Sequence, residues 1–154
     1  FHGPRHWELN KELWFFSAVA YDYKDHWKNL GVKIISPRSI PDNQFKIKIV
    51  VPKKYHTDLA SIHRAAWSFI APWDVARAAV VHDILYEALR TNKEALHSNT
   101  IMELRKNADN IMLEGMRAAE PKVPGTKIST VYWTLRLLGG MALKNSSYRE
   151  RHGW

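Results

Sequence analysis

The sequence predicts an α+β fold, a small antiparallel sheet packed on two antiparallel helices and a third C-terminal helix. Three observations carry this. Residues 45–51 (FKIKIVV) alternate apolar and basic side chains with the period of a half-buried strand. Three later runs, 74–90, 100–119 and 129–143, contain no proline and space apolar residues at helical intervals. Strands come first and helices afterwards, which favours α+β over a parallel doubly wound sheet.

Taken in order, residues 11–23 (KELWFFSAVAYDY) are aromatic and β-branched enough for one or two short strands, with a short helix as the alternative. Residues 28–35 offer a second extended piece, turning at Asn29-Leu30-Gly31. The stretch SPRSIPDNQ holds two prolines among turn-formers and reads as a loop. In strand 45–51, Phe45, Ile47, Ile49 and Val51 face inward and Lys46 and Lys48 face water, and Pro52 ends it. Pro72-Trp73-Asp74 opens the first long helix, with Asp74 as N-cap and Val75, Ala78, Ala79, His82, Tyr86 and Leu89 on its apolar side. Leu104, Ala108, Ile111, Met112 and Met116 stripe the second. Pro121, Pro124 and Gly125 separate it from the third. One domain over 1–154 is expected: β-rich to about 60, helical over 72–144, with an exposed basic tail at 145–154.

The chain of 154 residues is long enough to bury a core. With 45% hydrophobic and 25% charged residues, collagen-like, low-complexity and wholly disordered classes are excluded. The absence of cysteine excludes a disulfide scaffold, a cysteine-ligated zinc finger and a thiol nucleophile. The formal charge of +8 favours an anionic surface or an acidic protein as partner. No nucleic-acid-reading motif is present, so nucleic acid is not the expected partner. No membrane span is expected, because the most apolar stretch, 128–143, carries Arg136 and two glycines and is short for a bilayer. The opening FHGPRHWELN has no apolar run followed by small residues, so no signal peptide is expected.

Two clusters carry candidate chemistry: Thr57-Asp58-Leu59-Ala60-Ser61 after the best strand, and His82-Asp83-Ile84-Leu85-Tyr86 inside the first long helix. His82 follows the apolar run 78–81, where a polar group is buried and needs partners. His82 and Tyr86 lie one turn apart on one face, and Asp83 is expected beside them. On the second helix Asp109 adjoins the apolar stripe and can reach His82. A carboxylate on one imidazole nitrogen fixes the tautomer and leaves the other nitrogen to take a proton. The same residues also read as a satisfied core network with no catalytic role. Asp58 adds a carboxylate on a loop after a strand, where sites are commonly built. Asp58 and Asp83 are the expected ligands of a hard cation, calcium or another divalent ion, unless Arg64 or protons neutralise the cluster. Ser61 is the weaker nucleophile, with no G-x-S-x-G elbow around it. Thr57 and Asp58 also suit a turn cap. Trp67 and Trp73 flank SFIAP, an apolar segment expected over the His82 pocket or against a partner.

VPKKYHTDLASIHRAAW, AAVVHDILY, KNADNIMLEGM and VYWTLRLLGG together resemble a family of uncharacterised proteins of tailed phages and prophages. Its pattern runs V-P-x-G-F-x-T-D-x-A-S-I-P-R, A-x-x-H-D-x-L-Y, A-D-x-x-F-x-x-x-M, then Tyr-Trp and Arg. The likeness covers roughly 46–141 and implies a phage-derived protein, located in the virion or the host cytoplasm, with no activity to carry over. Lys54 and Tyr55 stand where Gly-Phe is usual, His63 where Pro is, and Met112 at an aromatic position. A second, local likeness is to the His-Asp helix of calcium-dependent secretory-type phospholipases A, including the disulfide-free versions of parvoviral capsids. It implies His82 as general base, Asp83 on calcium, and Asp109 with Tyr86 orienting the His. The Gly-rich calcium loop of that family is replaced here by TDLASIHR. A metal phosphohydrolase using His56 or His63, His82-Asp83 and Asp109 is a third enzyme reading. Against these stands a non-catalytic virion, tail or host-interaction protein.

Overall fold

The structure, a computed structural model, describes residues 7–36, 45–57, 76–119 and 122–143. Within them the chain builds β1 (Trp7–Glu8), β2 (Leu13–Ser17), a 3-10 turn (Tyr21–Tyr23), α1 (Lys24–Asn29), β3 (Lys33–Ile35), β4 (Ile47–Val51) and β5 (His56–Thr57). Then follow α2 (Ala76–Asn92), a 3-10 turn (Lys93–Ala95), α3 (Ser98–Arg117), α4 (Gly125–Leu138) and a last 3-10 turn (Gly139–Leu143). The fold is α+β, as the order of patterns predicts.

The sheet is two small antiparallel sheets rather than one. β4 is central in a three-stranded sheet of order β2-β4-β3, and β1 pairs with β5. Strand alternation sets the inner face: Phe15 and Ser17 on β2, Ile34 on β3, and Ile47, Ile49 and Val51 on β4 are buried. Val50 is buried as well, and Phe45 stands outside the strand, exposed, with its ring against Tyr21.

The expected extended piece over 28–35 is corrected. Lys28 and Asn29 end α1, and only Lys33–Ile35 is strand. A six-residue helix is too short to show a period, and it forms because Trp27 is driven into the core, where its indole N–H donates to Asn107 at 2.9 Å. The turn falls at Gly31, whose φ of 93° suits glycine. The third helix runs Gly125–Leu138 rather than 129–143: Pro124 opens it, and the Gly139-Gly140 pair passes into the 3-10 turn. The loop over 37–44, the Asp74 cap, Pro121 and the basic tail lie outside the described residues.

α2 is buried on nearly every side, with eleven buried residues between the sheet and the other helices. Leu85, Tyr86 and Leu89 join the core beneath the sheet, together with Leu104 and Ile111 of α3. Ala78 and Ala79 join a second cluster with Met112, Met116, Val131 and Leu135, where α4 closes over α2 and α3. This arrangement takes polar residues of α2 out of water and faces them with α3 and α4.

Candidate functional site

His82 and Tyr86 lie on the side of α2 that meets α3. The ring of Tyr86 lies against that of His82, with centroids 4.3 Å apart. Across the interface stands Asp109, and its side chain and that of His82 are both 0% exposed. His82 Nε2 is 2.8 Å from Asp109 Oδ1, and the Tyr86 hydroxyl donates to the same oxygen at 2.7 Å. Arg136 of α4 donates to Oδ2 at 2.6 Å, and Arg105, one turn before Asp109, reaches Oδ2 at 3.6 Å. Both carboxylate oxygens are thereby satisfied, as a buried charge requires.

The electrostatics follow from this arrangement. Burial alone pushes the Asp109 carboxyl up, but the bond and charge of His82, with Tyr86 and Arg136, outweigh it and hold the group below its ordinary value. Asp109 is therefore ionised and accepts the proton on Nε2, which fixes the tautomer of the imidazole. For Tyr86, burial first, then the Asp109 charge and hydrogen bond, push the phenol far above its ordinary range, so it stays neutral and donates.

Asp83 does not join this group. Around the helix Asp83 lies about 100° from His82 and about 60° from Tyr86, and its described hydrogen-bond partner is on β5 rather than on α3. Asp83 is buried and accepts a hydrogen bond from the Thr57 hydroxyl on β5. That bond ties α2 to the first residue of the TDLAS run. His82, Tyr86 and Asp109 thus converge, while Asp83 accepts from Thr57.

Asp58, Ser61, His63, Arg64, Trp67 and Trp73 lie outside the described residues. Among the described residues no three His, Cys, Asp or Glu side chains are grouped to hold a metal ion. They do not by themselves fit a cation: Asp109 is occupied by two guanidinium groups, an imidazole and a phenol. His56, cast as a ligand in the phosphohydrolase reading, lies 3.4 Å from Glu8.

Two participants escaped the sequence reading. Arg105 has a local signal, standing four residues before Asp109 on one helix face. Its guanidinium also donates to the Leu135 and Arg136 carbonyls at 3.2 and 3.1 Å, capping the end of α4. Arg136 is visible as the lone charge in an apolar run and in the Tyr-Trp…Arg pattern, but its partner is set only by the fold. Gly139 is the third element of this corner. A Cβ there would lie 2.7 Å from the Tyr86 oxygen and 2.9 Å from Arg105 Nη1, so a side chain at this position would force one or both groups to shift.

The profile of one family, described as a protein of unknown function (DUF1353), matches residues 33–134. No curated protein and no solved structure matches. The matched span takes in β3, β4, β5, α2, α3 and the first part of α4, and with them Thr57, His82, Asp83, Tyr86 and Asp109.

Proposed function

The chain belongs to the DUF1353 family of proteins of unknown function, and we propose that it is a phage-derived hydrolase with His82 as general base and Asp109 as the group that orients it. The observation that carries this reading is the 2.8 Å contact of His82 Nε2 with a buried, ionised carboxylate that Tyr86 and Arg136 hold in place. In this scheme, which needs water and substrate to reach a side chain that is 0% exposed, His82 Nδ1 takes a proton from water as the water oxygen attacks an ester carbon or phosphorus. The proton then passes from Nδ1 to the departing alkoxide, and the imidazolium formed in between faces Asp109. Asp83, braced by Thr57, and Asp58, next in the chain, are assigned to substrate or to a divalent cation, calcium first. The substrate class is a lipid ester or a phosphoester.

The test is His82→Asn, assayed on phospholipid vesicles and on a phosphodiester panel, with and without calcium or zinc. The expected outcome is a melting temperature close to the parent and a loss of hydrolysis of about 10²-fold or more. Hydrolysis unchanged in the variant, or none by the parent on either panel, would overturn the reading. Stabilisation of the parent by calcium or zinc would support the cation assignment, and a melt indifferent to both would remove it.

A second reading is favoured by the zero exposure of His82 and Asp109. In it the network is architecture, locking α2, α3 and α4 at one angle in a virion, tail or host-interaction protein. A steep fall in the melting temperature of His82→Asn, with no activity in the parent, is its expected result.

A further inference from the structure

The outer face of the three-stranded sheet differs from an ordinary wet face. The register sets Phe16, Lys48 and Ile35 in one row across β2, β4 and β3, and Trp14, Val50 and Lys33 in the next. Trp14 is 50% exposed, Phe16 52% and Ile35 40%, while Lys33 is also exposed. The Lys48 ammonium lies 4.0 Å over the Trp14 ring, a cation–π contact that sets a positive charge on the aromatic face. At the β2 edge a shallow groove of about 390 Å³ adds Lys11 and Arg77 beside Trp14 and Phe16, with Glu12 accepting from the Trp14 indole. Of the six positions on this face, Trp14, Phe16 and Ile35 are exposed apolar side chains, Lys33 and Lys48 are basic, and Val50 is buried.

We propose that this face docks on an anionic phospholipid bilayer. Trp and Phe are the residues that settle at the headgroup level, and lysine stems lie along apolar surface while their ammonium groups meet lipid phosphate. The chain's +8 charge complements such a surface. A single-stranded nucleic acid suits the face less well. Ile35 has no ring on which a base can stack, and one side of the Trp14 ring is already taken by Lys48. The docking face lies on the side of the sheet away from His82, so it goes beyond the hydrolase reading and does not depend on it.

The experiment is sedimentation of the whole chain with vesicles of phosphatidylcholine alone and with phosphatidylglycerol added, over a salt series. Binding is expected only with phosphatidylglycerol and should weaken as salt rises. Lys33→Glu with Lys48→Glu should lower affinity at least about fivefold per lysine. Trp14→Ala with Phe16→Ala should lower it about tenfold or more, with an unchanged melt, since both side chains are half exposed. His82→Asn should bind as the parent does. That separates the two proposals: vesicle binding without hydrolysis removes only the hydrolase. Equal binding to both vesicle types, parent-like binding by the two double variants, or capture of a single-stranded oligonucleotide but not of vesicles would each overturn the docking surface.

Discussion

At the scale of single residues, Lys54 explains a departure that the sequence only registers. It stands where the resemblance noted from the sequence leads one to expect glycine, and its φ is 68°, in the left-handed region that a β-carbon disfavours. Its amide nevertheless donates to the Leu9 carbonyl at 2.8 Å, fixing the β1–β5 corner. Tyr55, in place of the usual Phe, adds a hydrogen bond from its hydroxyl to Glu87 on α2 at 2.7 Å. Lys54→Gly is therefore expected to stabilise the fold by about 0.5–1 kcal/mol, the strain relieved less the added freedom of the unfolded chain. Denaturant unfolding measures it, and a midpoint that falls would show that the lysine side chain outweighs the strain. The His82–Asp109 pair was legible because each residue adjoins an apolar stripe. The partner of Asp83 was not, since Thr57 stands 26 positions away and only the fold brings β5 against α2.

At the scale of elements, the long helices were legible from their period and the short ones were not. α2 and α3 hold 17 and 20 residues, enough for an apolar stripe to repeat. α1 holds six and is dictated by the burial of Trp27 and its bond to Asn107, a contact across 80 positions in sequence. α4 has a local start signal in Pro124, yet its part in the site comes from packing. It brings the Arg136 guanidinium to Asp109 and ends on carbonyls capped by Arg105. Gly139 makes that approach possible. Gly139→Ala should displace Tyr86 or Arg105 and lower stability by about 1–3 kcal/mol, the ordinary cost of overpacking. A melt indistinguishable from the parent would mean that the corner has slack.

At the scale of the whole molecule, stability against pH reads out the buried network. The lowered carboxyl of Asp109 contributes stability that is present above its ordinary value of 3.8 and lost as pH falls through its lower folded value. The raised phenol of Tyr86 contributes stability that is present below its ordinary value of 10.0 and lost as pH rises beyond it. Melting temperature should thus hold a plateau between about pH 4 and pH 10 as far as these two groups decide it, falling on both sides. Asp109→Asn should flatten the acid side, and an unchanged acid slope would place its cause elsewhere. Among the described residues no helix is long and apolar enough to cross a membrane. The sequence by itself determined the α+β class, the two long helices, the central strand and the candidacy of His82 with Asp109, because period and apolar adjacency are local properties of the chain. Only the tertiary structure decided that Arg105 and Arg136 neutralise Asp109, that Asp83 belongs with Thr57, and that Trp14, Phe16 and Ile35 share a face with two lysines. Those are matters of which elements touch and at what angle, and a linear pattern does not encode the angle.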